Sequence, residues 1–252
     1  MATRRLIASF RKYQNQRRLL IGVVGILFIF TILLFILAYT QSAFQDLQTV
    51  VFLFLIGLMI ILFVFRQMMF SINMHYHYFR MIQEQQPPFS VKTLPMTQAF
   101  ISTLIENGFL KGIERPTHDI FYHLYAQLPH VKRTGTTVVW IIKLKEPSMN
   151  PYGEDLERDF QQIKLSFPKN TNPLNELTMV IKQVEVWNQE EREKLDQIVN
   201  FSLNNRAMVT IQFGQLPTKK VYALRPKLQY PNKYYYATMQ IMFKLMEAMN
   251  VQ

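Results

Sequence analysis

The 252-residue chain contains no cysteine. Disulfides, thiolate zinc sites and cysteine nucleophiles are therefore excluded, and the absence fits a reducing, cytosolic compartment. Glycine is scarce, with eight residues, and none stands in a phosphate-cradling loop: neither G-x-x-x-x-G-K-[ST] nor G-x-G-x-x-G occurs. The G-x-S-x-G and H-E-x-x-H signatures are missing too. No cofactor and no metal are expected. Acids do not occur before Asp46, and charge of either sign is absent from residues 19–38 (LLIGVVGILFIFTILLFILA) and from residues 47–65.

A helix rises about 1.5 Å per residue, so roughly twenty apolar residues cross a hydrocarbon core of about 30 Å. The two uncharged runs read as transmembrane helices over 19–39 and 47–65, forming an antiparallel hairpin through the short connection between them. The first 18 residues form a basic arm with Arg4, Arg5, Arg11, Lys12, Arg17 and Arg18 and no acid, whereas the turn carries only Asp46. Lys and Arg beside a span favour the cytoplasmic side. The expectation is a multi-pass plasma-membrane protein, of bacterial type, with both termini cytoplasmic. A cleaved signal peptide is disfavoured, because the first run exceeds the usual signal core.

After Phe65 the chain continues RQMMFSINMHYHYFRMIQEQQPP, with no Gly or Pro before Pro87. This predicts a juxtamembrane helix over 66–86, ending ahead of the proline pair. Phe65, Met69, Ile72, Tyr76 and Phe79 fall on one stripe at seam-like spacing. That stripe would pack on the protein's own domain, lie in the headgroup layer, or pair copies of the chain. His75 and His77 point about 200° apart on a helix and cannot hold one metal ion together; they read as interface anchors.

Residues 87–252 are enough for one domain with a real core. PMTQAFISTLIENG predicts a helix between Pro95 and Gly108, and TTVVWIIKLKE and LTMVIKQVEVW predict strands. GEDLERDFQQIKL, NQEEREKLDQIVNF (N-capped by Asn188) and NKYYYATMQIMFKLMEAMN read as helices, and AMVTIQFGQLPTKKVYAL as a hairpin. The expected fold is a membrane-anchored α+β protein whose cytosolic domain has a mostly antiparallel sheet of four or five strands with packed helices.

The best acid–base candidates lie in HDIFYHLYAQLPH. On a helix, Asp119 and His123 would share a face, where a carboxylate orients an imidazole; a first-turn acid and a core histidine are the plainer reading. Asp155 and Asp159 also share a helical face but read, with Glu154 and Glu157, as solvated acids near a helix start. Charge is segregated: residues 146–196 hold eleven acids and six bases, and residues 206–252 hold seven bases and one acid. Within the basic end, Lys219, Lys220, Arg225, Lys227 and Lys233 interleave with Tyr230 and Tyr234. Basic and aromatic side chains together suit anionic lipid, an acidic partner, or nucleic acid. Tethering beside a bilayer makes nucleic acid the less favoured of these. The leading expectation is a membrane-anchored interaction or assembly module, an accessory subunit with a membrane-protein partner or a second copy of itself. The alternatives are a membrane-tethered enzyme acting on lipid, nucleotide or nucleic acid through Asp119 and His123, and a nucleic-acid tether.

Overall fold

The computed structural model describes residues 2–40, 44–129, 131–132, 135–169, 171–203, 206–228 and 230–248. The chain divides into two compact units, Met1–Gln83 and Glu84–Gln252. The first holds two helices, α1 (Ala2–Thr40) and α2 (Phe44–Gln83). Each contains a stretch long and apolar enough to cross a membrane, within Phe10–Leu34 and within Leu55–Gln83. Ile26, Phe28, Met59 and Phe63 are all more than 60% exposed, a distribution that water penalises and lipid does not. Ring contacts of Phe10 with Tyr76 and Tyr13 with Phe79 bring the start of α1 beside the end of α2, so the pair is antiparallel.

The second unit contains, in chain order, β1 (Phe89–Ser90), α3 (Gln98–Glu106), β2 (Leu110–Glu114), β3 (His118–Tyr125), β4 (Thr137–Leu144), α4 (Glu154–Leu165), β5 (Asn175–Gln183), α5 (Gln189–Leu195), β6 (Val199–Leu203), β7 (Arg206–Gln215), β8 (Lys220–Tyr222) and α6 (Lys233–Leu245). The strands form one sheet ordered β1-β8-β7-β5-β4-β3-β2, with β6 also paired to β7. Its centre, β4-β5-β7, is parallel and the other pairings are antiparallel. The centre is legible in composition: TVVWIIKL of β4 is buried throughout, as a strand covered on both faces must be.

Helices cover both faces. Leu156 and Ile163 of α4 pack on Ile120, Val138, Trp140, Ile142 and Val180, while α6 lies against β5, β7 and α3. Asn188 accepts from the Glu191 N–H at 2.9 Å and Asn232 from the Tyr235 N–H at 2.8 Å, capping α5 and α6.

Three expectations are corrected. The sheet has eight strands, not four or five. HDIFYHLY is strand β3 rather than helix; both its faces carry apolar and aromatic residues, so neither period stands out. The helix expected to run through Val199 stops at Leu195, and Val199 opens β6.

Gly214 marks the tightest approach of α5 to the sheet. A Cβ there would lie 2.5 Å from Leu195 Cδ1 and 2.9 Å from Val184 Cγ2. Gly214→Ala is expected to destabilise this unit by about 1–3 kcal/mol through overpacking. A urea midpoint equal to that of the parent would show that Leu195 moves aside freely.

Candidate functional site

Asp119 and His123 lie on β3 four residues apart, on one face but about 13 Å from each other along the strand. They do not form a pair, which corrects the helical arrangement. Asp119 is buried and meets Lys145 Nζ at 2.7 Å. His123 Nδ1–H donates to the Gly108 carbonyl at 2.7 Å, and its ring lies against Phe109 and Tyr125. It lines a cavity of about 640 Å³ with Tyr125, Gln240 and Lys244. Asp119 lines a different one, of about 490 Å³, with Lys111, Glu114, Lys143 and Lys145.

The opposite face of β3 holds a group whose sequence context, an acidic helix start, points to solvent. Asp159, on the inner face of α4 between Leu156 and Ile163, is instead 5% exposed. Its carboxylate accepts from Arg115 at 2.8 and 3.2 Å and from His118 Nε2–H at 3.0 Å. That leaves His118 Nδ1 to accept from the Thr117 hydroxyl at 2.9 Å. Hydroxyl, imidazole and carboxylate follow one another as in a nucleophilic triad. However, the imidazole is 2% exposed and the carboxylate is already bound by a two-pronged guanidinium. The arrangement fastens α4 to the sheet edge. Its sequence signal was a carboxylate at the i+3 position of an apolar helix stripe.

The basic segment divides between surface and core. Lys219, Lys220, Lys227 and Lys233 are exposed. Arg225 is buried, with its guanidinium 4.8 Å from the Phe89 ring centre and donating to the Pro87 carbonyl at 3.4 Å; burial pushes its pKa down. Tyr234 is buried under Lys233, and Tyr230 is half-buried against Tyr235 and Tyr236. Most of the ring faces that would stack on bases are thus turned inward.

The same segment is stitched to the chain just after α2. Ser90 pairs with Lys220, Phe89 with Val221 and Gln85 with Pro226. The Lys227 N–H donates to the Glu84 carbonyl and the Gln86 N–H to the Arg225 carbonyl, both at 3.1 Å. Gln85 Oε1 accepts from Arg192 Nε at 3.1 Å and lies 2.8 Å from the Tyr222 hydroxyl, whose one proton it contests with Asp196 Oδ1.

In the helical unit, Tyr76 stacks on Phe10 and carries Arg17 at 4.9 Å over its ring, while Tyr13 stacks on His75 and Phe79. Phe65, Met69 and Ile72 are half-buried on the same stripe. The seam therefore has an occupant within the chain, α1, at its Tyr76–Phe79 end. Among the described residues no cluster of three or more His, Asp or Glu is placed to hold a metal ion. No family model, no curated protein and no solved structure matches the chain.

Proposed function

We propose that this protein is a membrane-anchored accessory subunit, held in a plasma membrane by the α1–α2 hairpin, whose cytosolic α+β domain docks on anionic lipid through Lys219, Lys220 and Lys227. The observation that carries this reading is the stitching of the lysine-bearing segment to residues 84–90, which follow α2 directly. The Arg17–Tyr76 contact and the surrounding rings form a basic and aromatic belt of the kind that sits at headgroup level. From Tyr76 to the end of α2 the helix rises about 10 Å, comparable with a Debye length of about 8 Å. Lys227, whose N–H donates to the Glu84 carbonyl, is held to the residue that follows α2. Each such lysine contributes about 1 kcal/mol near an anionic surface.

Arg66 favours a partner within the membrane as well. It is exposed and lies about 15 Å along α2 from Tyr76 toward the turn. With Tyr76 at the interface, the α2 crossing extends beyond the 47–65 run read from the sequence, within the apolar stretch Leu55–Gln83, and takes Arg66 into the hydrocarbon, where cations pair with acids of neighbouring helices or snorkel outward.

The absence of cysteine makes the test direct, because Leu228→Cys, at a position 75% exposed, gives a unique dye site. Energy transfer from that dye to headgroup-labelled lipid is measured with the full chain in nanodiscs. Transfer should increase when phosphatidylglycerol replaces phosphatidylcholine, and fall back in high salt. Lys219→Gln, Lys220→Gln and Lys227→Gln together should abolish the increase, a loss of up to about 3 kcal/mol of docking energy. Equal transfer in both lipids would overturn the docking reading.

A further inference from the structure

The cavity of about 490 Å³ lies on the α3 side of the sheet, at the end of β4. Its floor is a row of charges in register across three strands: Glu114 opposite Asp119, and Asp119 opposite Lys143. Four of its charged groups are already engaged. Lys145 meets Asp119 at 2.7 Å and Glu114 at 3.8 Å and donates to the Arg115 carbonyl at 2.8 Å, while Lys111 is bound to Glu114. Lys143 is different. It is 94% buried, by its 6% exposure, and has no hydrogen bond or ion pair among the described residues.

The opposite wall contains Met96, Gln98 and Ile101 around the start of α3. That helix has no side-chain cap, since the Thr97 hydroxyl donates back to the Leu94 carbonyl at 2.6 Å. Its first-turn N–H groups therefore remain available. An uncapped helix start carries a partial positive charge and suits a phosphoryl oxygen. The stem of Lys143 is buried while its ammonium stays open to the cavity, and a cation in so confined a place is stabilised by an anion that joins it. Burial pushes the Lys143 pKa down, and Lys145 adds to this, while Asp119 opposes it. A bound anion would reverse that depression.

We propose that this cavity is a binding site for a phosphoryl group of a small molecule, with Lys143 as its counter-charge and the first turn of α3 as its hydrogen-bond donor. The volume is large enough for an organic body beyond the phosphate, and Met96, Ile101 and Phe121 give it an apolar wall. Lys219, Lys220 and Lys227 do not line it, so the site is independent of lipid docking.

The test uses the full chain in phospholipid-free micelles, melted in inorganic phosphate and in chloride of equal ionic strength, beside Lys143→Met and Lys219→Gln/Lys220→Gln. Phosphate should raise the melting temperature of the parent and of the surface variant. It should leave Lys143→Met unmoved. In chloride, Lys143→Met should melt no lower than the parent, because an apolar side chain replaces an unpaired cation; a lower value would make Lys143 a structural partner of Asp119 and overturn the proposal. A Lys143-dependent response to phosphate assigns the site to soluble phosphorylated molecules. A Lys143-dependent response seen only on adding phosphatidylglycerol assigns the same chemistry to a lipid headgroup. No Lys143-dependent response to either overturns it.

Discussion

Asp159→Ala is expected to lower the stability of the α+β unit at neutral pH by about 3 kcal/mol, and its melting temperature by roughly 10 °C. The loss comes mainly from inside the protein. Arg115 is half-exposed and returns to water when its partner goes, so its share is screened. His118 has no such escape: at 2% exposure it loses its Nε2 acceptor and is left with an unsatisfied buried N–H. The pH dependence identifies the cause. The hydrogen bonds from Arg115, and secondarily from His118, hold the Asp159 carboxyl below the usual range against the opposing effect of burial. A depressed carboxylate adds stability that is full above the unfolded pKa of about 4 and is lost as pH falls through the lower folded value. The gap between parent and variant should therefore be complete at pH 7 and shrink below about pH 4. Trp140, buried 4.8 Å from Phe160 of α4, reports the transition by fluorescence. Equal melting temperatures at neutral pH would show that α4 is held by Leu156 and Ile163 alone.

The same residue shows where the sequence was legible and where it was not. The apolar runs of α1 and α2 and the buried strands β4 and β5 carry their own signal, because length and continuous hydrophobicity decide both kinds of element. The caps at Asn188 and Asn232 follow from local hydrogen bonding. Asp159 looked like one acid among four because Glu154 and Asp155 beside it are indeed solvated, at 90% and 83% side-chain exposure. What turned it inward was the position of Arg115 and His118, more than forty residues away in sequence and brought close only by the β2–β3 hairpin. Asp119 and His123 failed for a related reason. Four residues are one turn of a helix but about 13 Å of strand, so a wrong period turned two distant side chains into an apparent pair. The tyrosines near the C-terminus have helical spacing, and spacing alone does not say that Tyr234 and Tyr235 point into the core while Tyr236 does not.

Asp196→Asn is expected to do the opposite of Asp159→Ala and stabilise the protein at neutral pH, by about 2–3 kcal/mol. Asp196 is 5% exposed and ends α5. Burial pushes its pKa up to about 6, with Glu193 adding to the rise and Tyr222 and Arg192 opposing it. The hydrogen-bond geometry explains why a proton is welcome. The Tyr222 hydroxyl lies 2.5 Å from Asp196 Oδ1 and 2.8 Å from Gln85 Oε1, and one phenolic proton cannot serve two acceptors. A protonated Asp196 donates to the phenol oxygen and releases the phenol to donate to Gln85. Asparagine reproduces that state permanently, its Nδ2–H replacing the carboxyl proton. For a carboxyl whose folded pKa is raised, the folded state binds the extra proton between about pH 4 and pH 6, so stability falls as pH rises through that window. A rise from about 4 in the unfolded chain to about 6 in the folded one is worth about 3 kcal/mol. The parent and Asp196→Asn should therefore unfold alike near pH 4 and diverge toward pH 7, with the variant the more stable. A variant less stable than the parent at pH 7 would mean that the ionised carboxylate, held by Arg192 at 4.0 Å, is the form the fold prefers. Because Gln85 belongs to the segment leaving α2 and is bound by this same phenol, the titration also sets how firmly the tether is clasped. Amide exchange at Gln86, whose N–H donates to the Arg225 carbonyl, should slow in Asp196→Asn at pH 7 and match the parent at pH 4, after correction for intrinsic rates.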